Sequence, residues 1–278
     1  MMKNYGAKIF GERKKLRKLL KLAKTNKYSA PQLAAIFKCN VKPIHGALNK
    51  AGIYLPNLGE FKKKYKCNDK FFTKLNPISA YWLGFIAADG CLYLRDGKKK
   101  SFYIALNYSD AQHLKNFKKI IETNAKIGYV KSNNSVHIGF YSVDKLFDSL
   151  VKLGIKPNKR LRIENVLVPN NLMSHFIRGV FDGDGSLSGK KITHVQFQIA
   201  GFKPLLKQIQ NILIKECNVR RVKIYPLTYK KTGRAFRLQY TGAQIFRILD
   251  FLYKGSINST RLKRKYKKYN MFKIKFRK

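Results

Sequence analysis

The chain has 278 residues, of which 45% are hydrophobic, so it can form packed cores and is not a disordered basic tail. Its 59 lysines and arginines against 14 acidic residues, a formal net charge of +45, indicate a polyanionic partner and favour nucleic acid. No apolar run reaches the roughly 18 residues of a membrane span, and the first residues lack the apolar core of a secretory signal, so we expect an intracellular protein without a membrane partner.

Three short helices are predicted near the amino terminus. The segment ERKKLRKLLKLAK places leucines on one side of an amphipathic helix. Ser29 can cap a second helix, and Pro31 suits the opening turn of that helix. A third helix is predicted from Val41 to Lys50, with its apolar residues turned inward and with Lys42 and His45 turned outward.

This series of helices resembles a helix-turn-helix module. In such modules the second helix of the turn pair enters the major groove, which implies DNA contacts from Lys42 and His45. A plain helical cap with solvated lysines is the alternative. We therefore interpret residues 1–60 as a helix-turn-helix-like DNA-binding module, and residues 61–76, which contain KKKYK, as a basic linker.

The rest of the chain contains an internal duplication. The segments LGFIAADGCL (83–92) and RGVFDGDGSL (178–187) are related by a constant offset of 95 residues. Asp182 matches Ala87 and has no symmetric counterpart, which predicts a supporting or incidental role for it. The matching positions are Gly84 and Gly179, Asp89 and Asp184, Gly90 and Gly185, and Leu92 and Leu187.

The segments that follow the two motifs are also parallel. Each half predicts a helix, two strands, a second helix, two further strands and a closing helix. The predicted fold class is α+β, with two pseudo-symmetric αββαββα repeats at 77–160 and 161–256, preceded by the small all-α module and followed by a basic tail at 257–278. One face of each sheet would pack on helices, and the other faces would form a saddle-shaped DNA-binding surface.

Alternation along the predicted strands identifies the side chains on these outer faces. In the second repeat Phe197 and Ile199 alternate with Gln196 and Gln198, and a strand predicted around 221–225 alternates in the same way. Polar side chains of these types can hydrogen-bond to base edges in the major groove, although an ordinary solvated face is the alternative. The predicted DNA contacts on the two sheets are Tyr103, Asn107, His137, Gln196, Gln198, Arg221, Lys223, Arg237 and Gln239.

Small residues on the two motif helices predict a close helix pair. Each helix ends at an aspartate followed by a glycine, and glycine readily adopts the left-handed conformation that ends a helix. Close packing would bring Asp89 and Asp184 together. The small residues predicted at the helix interface are Gly84, Ala88, Gly179 and Gly183.

The two motif segments resemble the signature helices of the LAGLIDADG homing endonucleases. The residues that carry the resemblance are WLGFIAADG and RGVFDGDG, and the flanking LVPNNLMSHFIRGVFDGDGSL and STRLKRKYKKY are also typical of the single-chain members. The resemblance covers about residues 77–270. It implies a pseudo-dimeric monomer that cuts both strands of double-stranded DNA across the minor groove, leaves short 3′ overhangs and reads one half of a long target with each repeat.

Two carboxylates that converge in a basic groove predict a magnesium site. Carboxylates, waters and phosphate oxygens are ligands that suit Mg²⁺, and the implied reaction is metal-assisted phosphodiester hydrolysis. The residues assigned to this site are Asp89, Asp184, Gly90 and Gly185 at the metal, with Asp89 and Asp184 as catalytic residues and Lys190 and Lys203 as their basic partners.

Two other functions stay open for the same fold. One is a DNA-binding regulator that has lost cleavage, and the other is an RNA maturase that binds its host intron. Both motif aspartates are present, which favours the nuclease over a binding protein. A basic saddle also attracts RNA, so the sequence leaves RNA open as a second partner.

Overall fold

The chain divides into two compact units, which are Met1–Lys64 and Tyr65–Lys278. The computed structural model describes residues 10, 13–25, 27–55, 66–95, 99–141, 143–157, 165–189, 191, 194–227 and 235–276. Within these ranges, no helix combines the length and the apolar character that crossing a membrane requires.

The amino-terminal unit contains α1 (Arg13–Lys24), α2 (Ala30–Ile36) and α3 (Val41–Lys50). The start of α2 is fixed by the side-chain oxygen of Gln32, which accepts hydrogen bonds from the backbone N–H and the hydroxyl of Ser29, each at 2.9 Å. The unit has an apolar core of its own. That core is formed by Phe10, Leu19, Ala23, Ala30, Leu33, Ala34, Ile44 and Leu48.

The first repeat is a four-stranded antiparallel sheet with helices on one face. Its strands lie in the order β1-β2-β4-β3, and Phe102, Ile104 and Ile138 on the inner face are completely buried. Its elements are α4 (Pro77–Asp89), β1 (Gly90–Arg95), β2 (Lys99–Asn107), α5 (Ala111–Ile120), β3 (Ile127–Val130), β4 (Ser135–Tyr141) and α6 (Asp144–Lys152).

The second repeat has the same order of elements, and its sheet has the order β5-β6-β8-β7. The predicted α+β class with two αββαββα repeats is therefore confirmed. A last helix, α10 (Lys263–Phe276), follows the repeat. The elements of the repeat are α7 (Met173–Asp184), β5 (Gly185–Ser188), β6 (Gln196–Gly201), α8 (Lys203–Cys217), β7 (Tyr225–Pro226), β8 (Phe236–Thr241) and α9 (Gln244–Tyr253).

The strand predicted around 221–225 is wrong for most of its length. Only the two residues of β7 pair with β8. Arg221 lies against α8, where its guanidinium donates to the side-chain oxygen of Asn211 at 3.2 Å. The Gln210 amide donates to the Val222 carbonyl at 2.7 Å. Side chains of α8 therefore supply hydrogen bonds that a strand ladder would otherwise make.

Cross-strand register shows that the two sheets are built alike. The motif offset of 95 residues continues from β1 and β5 into β2 and β6. Between β4 and β8 the offset becomes 100. An alignment of the two repeats at the fixed offset of 95 therefore misaligns these two strands by five residues. The register pairs that define the equivalence are Gly90–Ile104 and Gly185–Ile199, and Ala105–His137 and Ala200–Arg237.

The helices α4 and α7 pack backbone against backbone at two glycines. A Cβ on Gly84 would overlap the carbonyl of Phe176, and a Cβ on Gly179 would overlap the carbonyl of Tyr81. Phe85, the neighbour of Gly84, is buried beside the rings of Trp82 and His113 in the first repeat. Because each helix presents a glycine to a carbonyl of the other, a larger residue at either position would force the helices apart.

The glycines that follow the motif aspartates do not adopt the predicted left-handed conformation. Gly90 has φ −78° and Gly185 has φ −97°, and both are extended because they are the first residues of β1 and β5. A Cβ on Gly90 would overlap Ile86, and one on Gly185 would overlap Phe181. Glycine is required here by the close approach of the preceding helical turn.

We expect Gly179→Ala to lower the free energy of unfolding by about 3 kcal/mol, because the added methyl group must displace the backbone of α4. Gly201→Ala is the matched control, since a Cβ there would make only ordinary contacts with Leu206, the nearest at 3.6 Å. Urea unfolding of the full chain measures both values. Equal effects of the two substitutions would contradict the packing argument.

Candidate active site

Asp89 and Asp184 are the last residues of α4 and α7, and the packing of these helices brings the two motif ends together. An oxygen of the Asp89 carboxylate lies 3.1 Å from the position of a Cβ on Gly183, the residue before Asp184. The Ala88 side chain occupies the remaining space beside Gly183. Asp89 is half-buried and Asp184 is exposed. Both carboxylates therefore stand at the same end of the helix pair, where solvent reaches them.

Lys265 places a buried positive charge beside this end of the helix pair. Its side chain is 5% exposed, and its Nζ donates to the main-chain carbonyls of Phe181 (2.5 Å), Asp182 (2.8 Å) and Gly185 (2.6 Å). Burial lowers the pKa of Lys265 to about 8, while the carboxylates of Asp182, Asp89 and Asp184 act in the opposite direction. The lysine therefore stays protonated at neutral pH.

An ammonium group has three N–H bonds to donate, and all three of those on Lys265 go to main-chain carbonyls. Lys265 thus closes the carboxyl end of α7, where free carbonyls and the helix dipole favour a cation. It acts as a fixed charge that attracts the motif carboxylates. Sequence patterns did not identify it, because it lies 80 residues beyond Gly185 within a segment dense in lysine.

Asp182 is a buried junction between three segments, which is the supporting one of the two roles predicted for it. It is 1% exposed, and its Oδ2 accepts hydrogen bonds from the Tyr81 hydroxyl (2.8 Å) of α4 and from the backbone N–H of Leu262 (2.7 Å) just before α10. Burial raises the pKa of this carboxyl, and the charge of Lys265 opposes that shift. Asp182, which has no counterpart in the first repeat, therefore joins α7 to α4 and to the start of α10.

His113 extends the same hydrogen-bond chain into α5. Its Nε2 lies 2.8 Å from the Tyr81 oxygen, and the Tyr81 hydroxyl already donates to Asp182, so the ring donates through Nε2–H. Burial lowers the pKa of His113 to about 3, which keeps the imidazole neutral at physiological pH. The ring also stacks on Trp82 at 4.6 Å between centroids.

Arg178 is a second buried cation that the sequence did not single out. It is fully buried in α7, and its guanidinium donates to the carbonyls of Thr260 (2.8 Å) and Leu252 (2.5 Å). The guanidinium carbon lies 5.2 Å from the centre of the Tyr81 ring. The signal that could have found it is an arginine at a position where the first motif has Leu83.

The motif ends offer hard oxygen ligands but few of them. Among the residues that the structure describes, no group of three or more His, Cys, Asp or Glu side chains is arranged to hold a metal ion. Two carboxylates fit Mg²⁺ if waters and phosphate oxygens complete its coordination. The Gly185 carbonyl, which the sequence assigned to the metal, accepts the Lys265 ammonium at 2.6 Å, and that charge opposes a divalent cation at the same oxygen.

The two lysines assigned as basic partners have different outcomes. Lys190 lies outside the described residues. Lys203 is exposed at the start of α8, and its Nζ lies 5.4 Å from the centre of the Phe236 ring. Its catalytic assignment stays a prediction, and Lys265 is the basic group whose charge is coupled to both motif carboxylates.

Most side chains assigned to DNA lie on the outer faces of the two sheets. Gln198 is directly opposite Gln239, and Arg237 is opposite Tyr225. Of the others, Asn107 ends β2 and accepts from the Ser109 backbone N–H at 3.0 Å, Lys223 lies 5.5 Å from the Tyr225 ring, and Arg221 is engaged with α8. In the amino-terminal unit, Lys42 and His45 are exposed on α3.

Comparisons with known proteins find similarity at the level of fold. No protein-family model matches the chain, and no curated protein sequence matches it. Among solved structures, the chain is similar to the LAGLIDADG homing endonuclease I-LtrWI bound to target DNA, with 14% identity, 74% of this chain and 90% of that chain covered, and a TM-score of 0.48. It is also similar to I-SmaMI bound to cleaved DNA, with 18% identity, coverage of 71% and 87%, and a TM-score of 0.49.

A third similar structure is the N-terminal LAGLIDADG domain of WhiA, with 20% identity, coverage of 68% and 90%, and a TM-score of 0.42. These structural neighbours are LAGLIDADG proteins, and the structures of I-LtrWI and I-SmaMI each contain DNA.

We expect Lys265→Met to lower the free energy of unfolding by about 3–5 kcal/mol, because it leaves three carbonyls and the buried Asp182 without their cation. Lys267→Met, at an exposed position of the same helix, is the control and should change stability by less than about 0.5 kcal/mol. Urea unfolding of the full chain measures both. An unchanged stability in Lys265→Met would show that the buried charge is not needed for the fold.

Proposed function

We propose that this protein is a site-specific endonuclease that hydrolyses one phosphodiester bond on each strand of a DNA duplex. The observation that carries the proposal is the position of Asp89 and Asp184, from two copies of one motif, at the same end of the α4–α7 pair. Two equivalent carboxylates suit two equivalent cuts, one on each strand. The net charge of +45 supplies the long-range attraction for DNA.

Asp89 and Asp184 would hold Mg²⁺, with the carbonyl of Gly90, the residue after Asp89, as a further hard oxygen. A cation bound there would polarise a phosphoryl oxygen and lower the pKa of a bound water. On each strand the oxygen of one water would form a bond to phosphorus as the bond from phosphorus to the 3′ oxygen breaks. The water would lose a proton to solvent and the 3′ oxygen would take one from solvent, so that the products are a 5′ phosphate and a 3′ hydroxyl. Cuts across the minor groove would leave short 3′ overhangs.

Lys265 would serve this reaction as a fixed positive charge. Its three N–H bonds are taken by main-chain carbonyls, so it is not placed to give a proton to the leaving group. Its charge instead lessens the repulsion between the two motif carboxylates as they are brought together. Asp182 holds the segment before α10 through the Leu262 N–H, and so positions Lys265 from the other side.

The sheets and the amino-terminal unit would bind the target. Amide and guanidinium side chains such as Gln198, Gln239 and Arg237 can pair with purine edges in the major groove. Exposed Lys42 and His45 on α3 would add contacts beyond the sheets. Two repeats and a further module can together cover a long target. A nuclease needs a long target in order to cut at one specific site.

A DNA-binding protein without cleavage is the second candidate, and one observation favours it. The Lys265 charge attracts both motif carboxylates and occupies the Gly185 carbonyl. An arrangement of this kind can persist in a binding protein for stability alone. A cleavage assay with the motif variants separates the two candidates.

We expect Asp184→Asn and Asp89→Asn each to reduce cleavage of a selected target duplex in Mg²⁺ by about 10³-fold or more, because each removes a charged ligand of the proposed metal site. Binding to the same duplex in EDTA should be retained. Asp148→Asn is the control, since Asp148 pairs with Lys100 at 2.6 Å on the other side of the first sheet. Cleavage at the normal rate by either motif variant would overturn the assignment.

We expect Lys42→Ala combined with His45→Ala to weaken binding of a full-length target about tenfold at fixed salt, because exposed α3 side chains would lose contacts to DNA. The slope of log affinity against log salt should become shallower by about one for the lost lysine. Lys21→Ala on the exposed side of α1 is the control. If the α3 variant binds as the unaltered protein does, the amino-terminal unit does not contact DNA through α3.

A further inference from the structure

The two sheets have the same topology, but their outer faces have different chemistry. Where strands of both sheets are paired, register assigns outer positions of the first sheet an equivalent in the second, by an offset of 95 for β1 and β2 and of 100 for β4. The inference drawn from this difference rests on the proposed function, because it concerns how each repeat reads its half of the target. The equivalent outer residues are Cys91 and Ser186, Tyr93 and Ser188, Ser101 and Gln196, Tyr103 and Gln198, His137 and Arg237, Gly139 and Gln239, and Tyr141 and Thr241.

The outer face of the second sheet carries adjacent side chains that can form hydrogen bonds. Ser186, Gln198 and Gln239 lie side by side across three strands. Arg237 stands next to them with its guanidinium carbon 5.9 Å from the centre of the Tyr225 ring. Glutamine pairs with two atoms of adenine and arginine with two atoms of guanine, so this face is equipped to read purines by hydrogen bonds.

The outer face of the first sheet has aromatic residues and glycine. Where the second sheet has Gln198, the first has Tyr103, and where the second has Gln239, the first has Gly139. Tyr93 and Tyr141, which are 51% and 62% exposed, lie on the same face. The described residues around Tyr103 on this face, Tyr93, Ser101, Gly139 and Tyr141, are uncharged, and Arg95 and Lys99 form the next outer register pair toward the β1–β2 turn.

Two glycines leave space on the sheet surface that these aromatic rings occupy. A Cβ on Gly139 would be 3.6 Å from the Tyr103 ring and 3.7 Å from the Tyr141 hydroxyl oxygen, so the two tyrosines flank this glycine. The imidazole of His137 fills the space that a Cβ on Gly128 would need. The Tyr103 and His137 rings are 5.5 Å apart and inclined by 31°. The result is a shallow surface that presents ring atoms outward.

Around Tyr103 the described part of this surface has no amide or guanidinium side chain of the kind that makes paired hydrogen bonds with purines; the amide on the face is Asn107, at the end of β2. The apolar group that base pairs offer in the major groove is the 5-methyl of thymine, and apolar side chains recognise thymine by contact with it. We propose that the outer face of the first sheet, with Tyr103 at its centre, reads thymines through their 5-methyl groups. The target would then be thymine-rich in the half bound by the first repeat and read through purine edges in the half bound by the second.

Deoxyuridine tests this directly, because it pairs as thymine does and lacks only the methyl group. The target is first selected by binding from a random duplex library with Asp184→Asn, so that selection does not depend on cleavage. The half bound by each repeat is assigned by footprinting. Synthetic copies of the selected duplex then carry deoxyuridine for thymidine in one half at a time, and affinity is measured at fixed salt.

In the first half-site we expect affinity to fall about fourfold for each contacted methyl group that is lost. The same replacement in the second half-site should change affinity less than twofold. Tyr103→Gln, which installs the residue of the equivalent position, should abolish most of the deoxyuridine effect and shift preference at one position toward adenine. Gln198→Tyr is the reciprocal variant and should create a methyl preference in the second half. Both positions lie on an outer sheet face, so thermal unfolding should be unchanged.

The inference is overturned if deoxyuridine in the first half-site leaves affinity unchanged, or if both halves respond equally. Insensitivity of the deoxyuridine effect to Tyr103→Gln would also overturn it. These results differ from failure of the proposed function. If no duplex is selected, or if the selected duplex is bound and never cut by the unaltered protein in Mg²⁺, the endonuclease proposal fails.

Discussion

The contact between the backbones of α4 and α7 is the constraint on which the rest of the larger unit depends. Gly84 lies against the Phe176 carbonyl and Gly179 lies against the Tyr81 carbonyl. A side chain at either glycine would therefore push the two helices apart. The first strand of each sheet begins at the residue after each helix. The helix pair therefore positions the two motif carboxylates and the start of both sheets at once.

Close packing of two helices leaves little room for polar groups, and those that are buried here have partners on several segments. Asp182 is held by Tyr81 of α4 and by the Leu262 N–H, while Lys265 of α10 closes the end of α7. A buried charge without partners costs several kcal/mol, so each of these side chains constrains the others. The network connects α5 and α10 to the helix pair, and it gives the site a fixed positive charge behind two carboxylates.

The duplication preserved architecture and allowed chemistry to diverge. Topology, register and the glycines of the helix pair are the same in both repeats, because the packing of two similar halves demands them. The outer sheet faces alternate with the buried positions of the same strands, so their side chains are not held by the packing of the helix pair. One face has a set of amides and a guanidinium, and the other has a row of aromatic rings, and the proposed reading of two unlike half-sites would use this difference.

The sequence by itself determined the order of elements, the repeat and the identity of the two motif aspartates. Periodicity of apolar residues and the repeated Asp-Gly are local properties, and they survive in a linear reading. Only the tertiary structure decided the roles of Asp182, Lys265, Tyr81 and Arg178, since their partners lie about 80 to 100 residues away along the chain. It also replaced most of the strand predicted around 221–225 by contacts with α8, and gave Gly90 and Gly185 extended backbones. Long-range hydrogen bonds and close approach depend on which segments meet, and that is settled by packing.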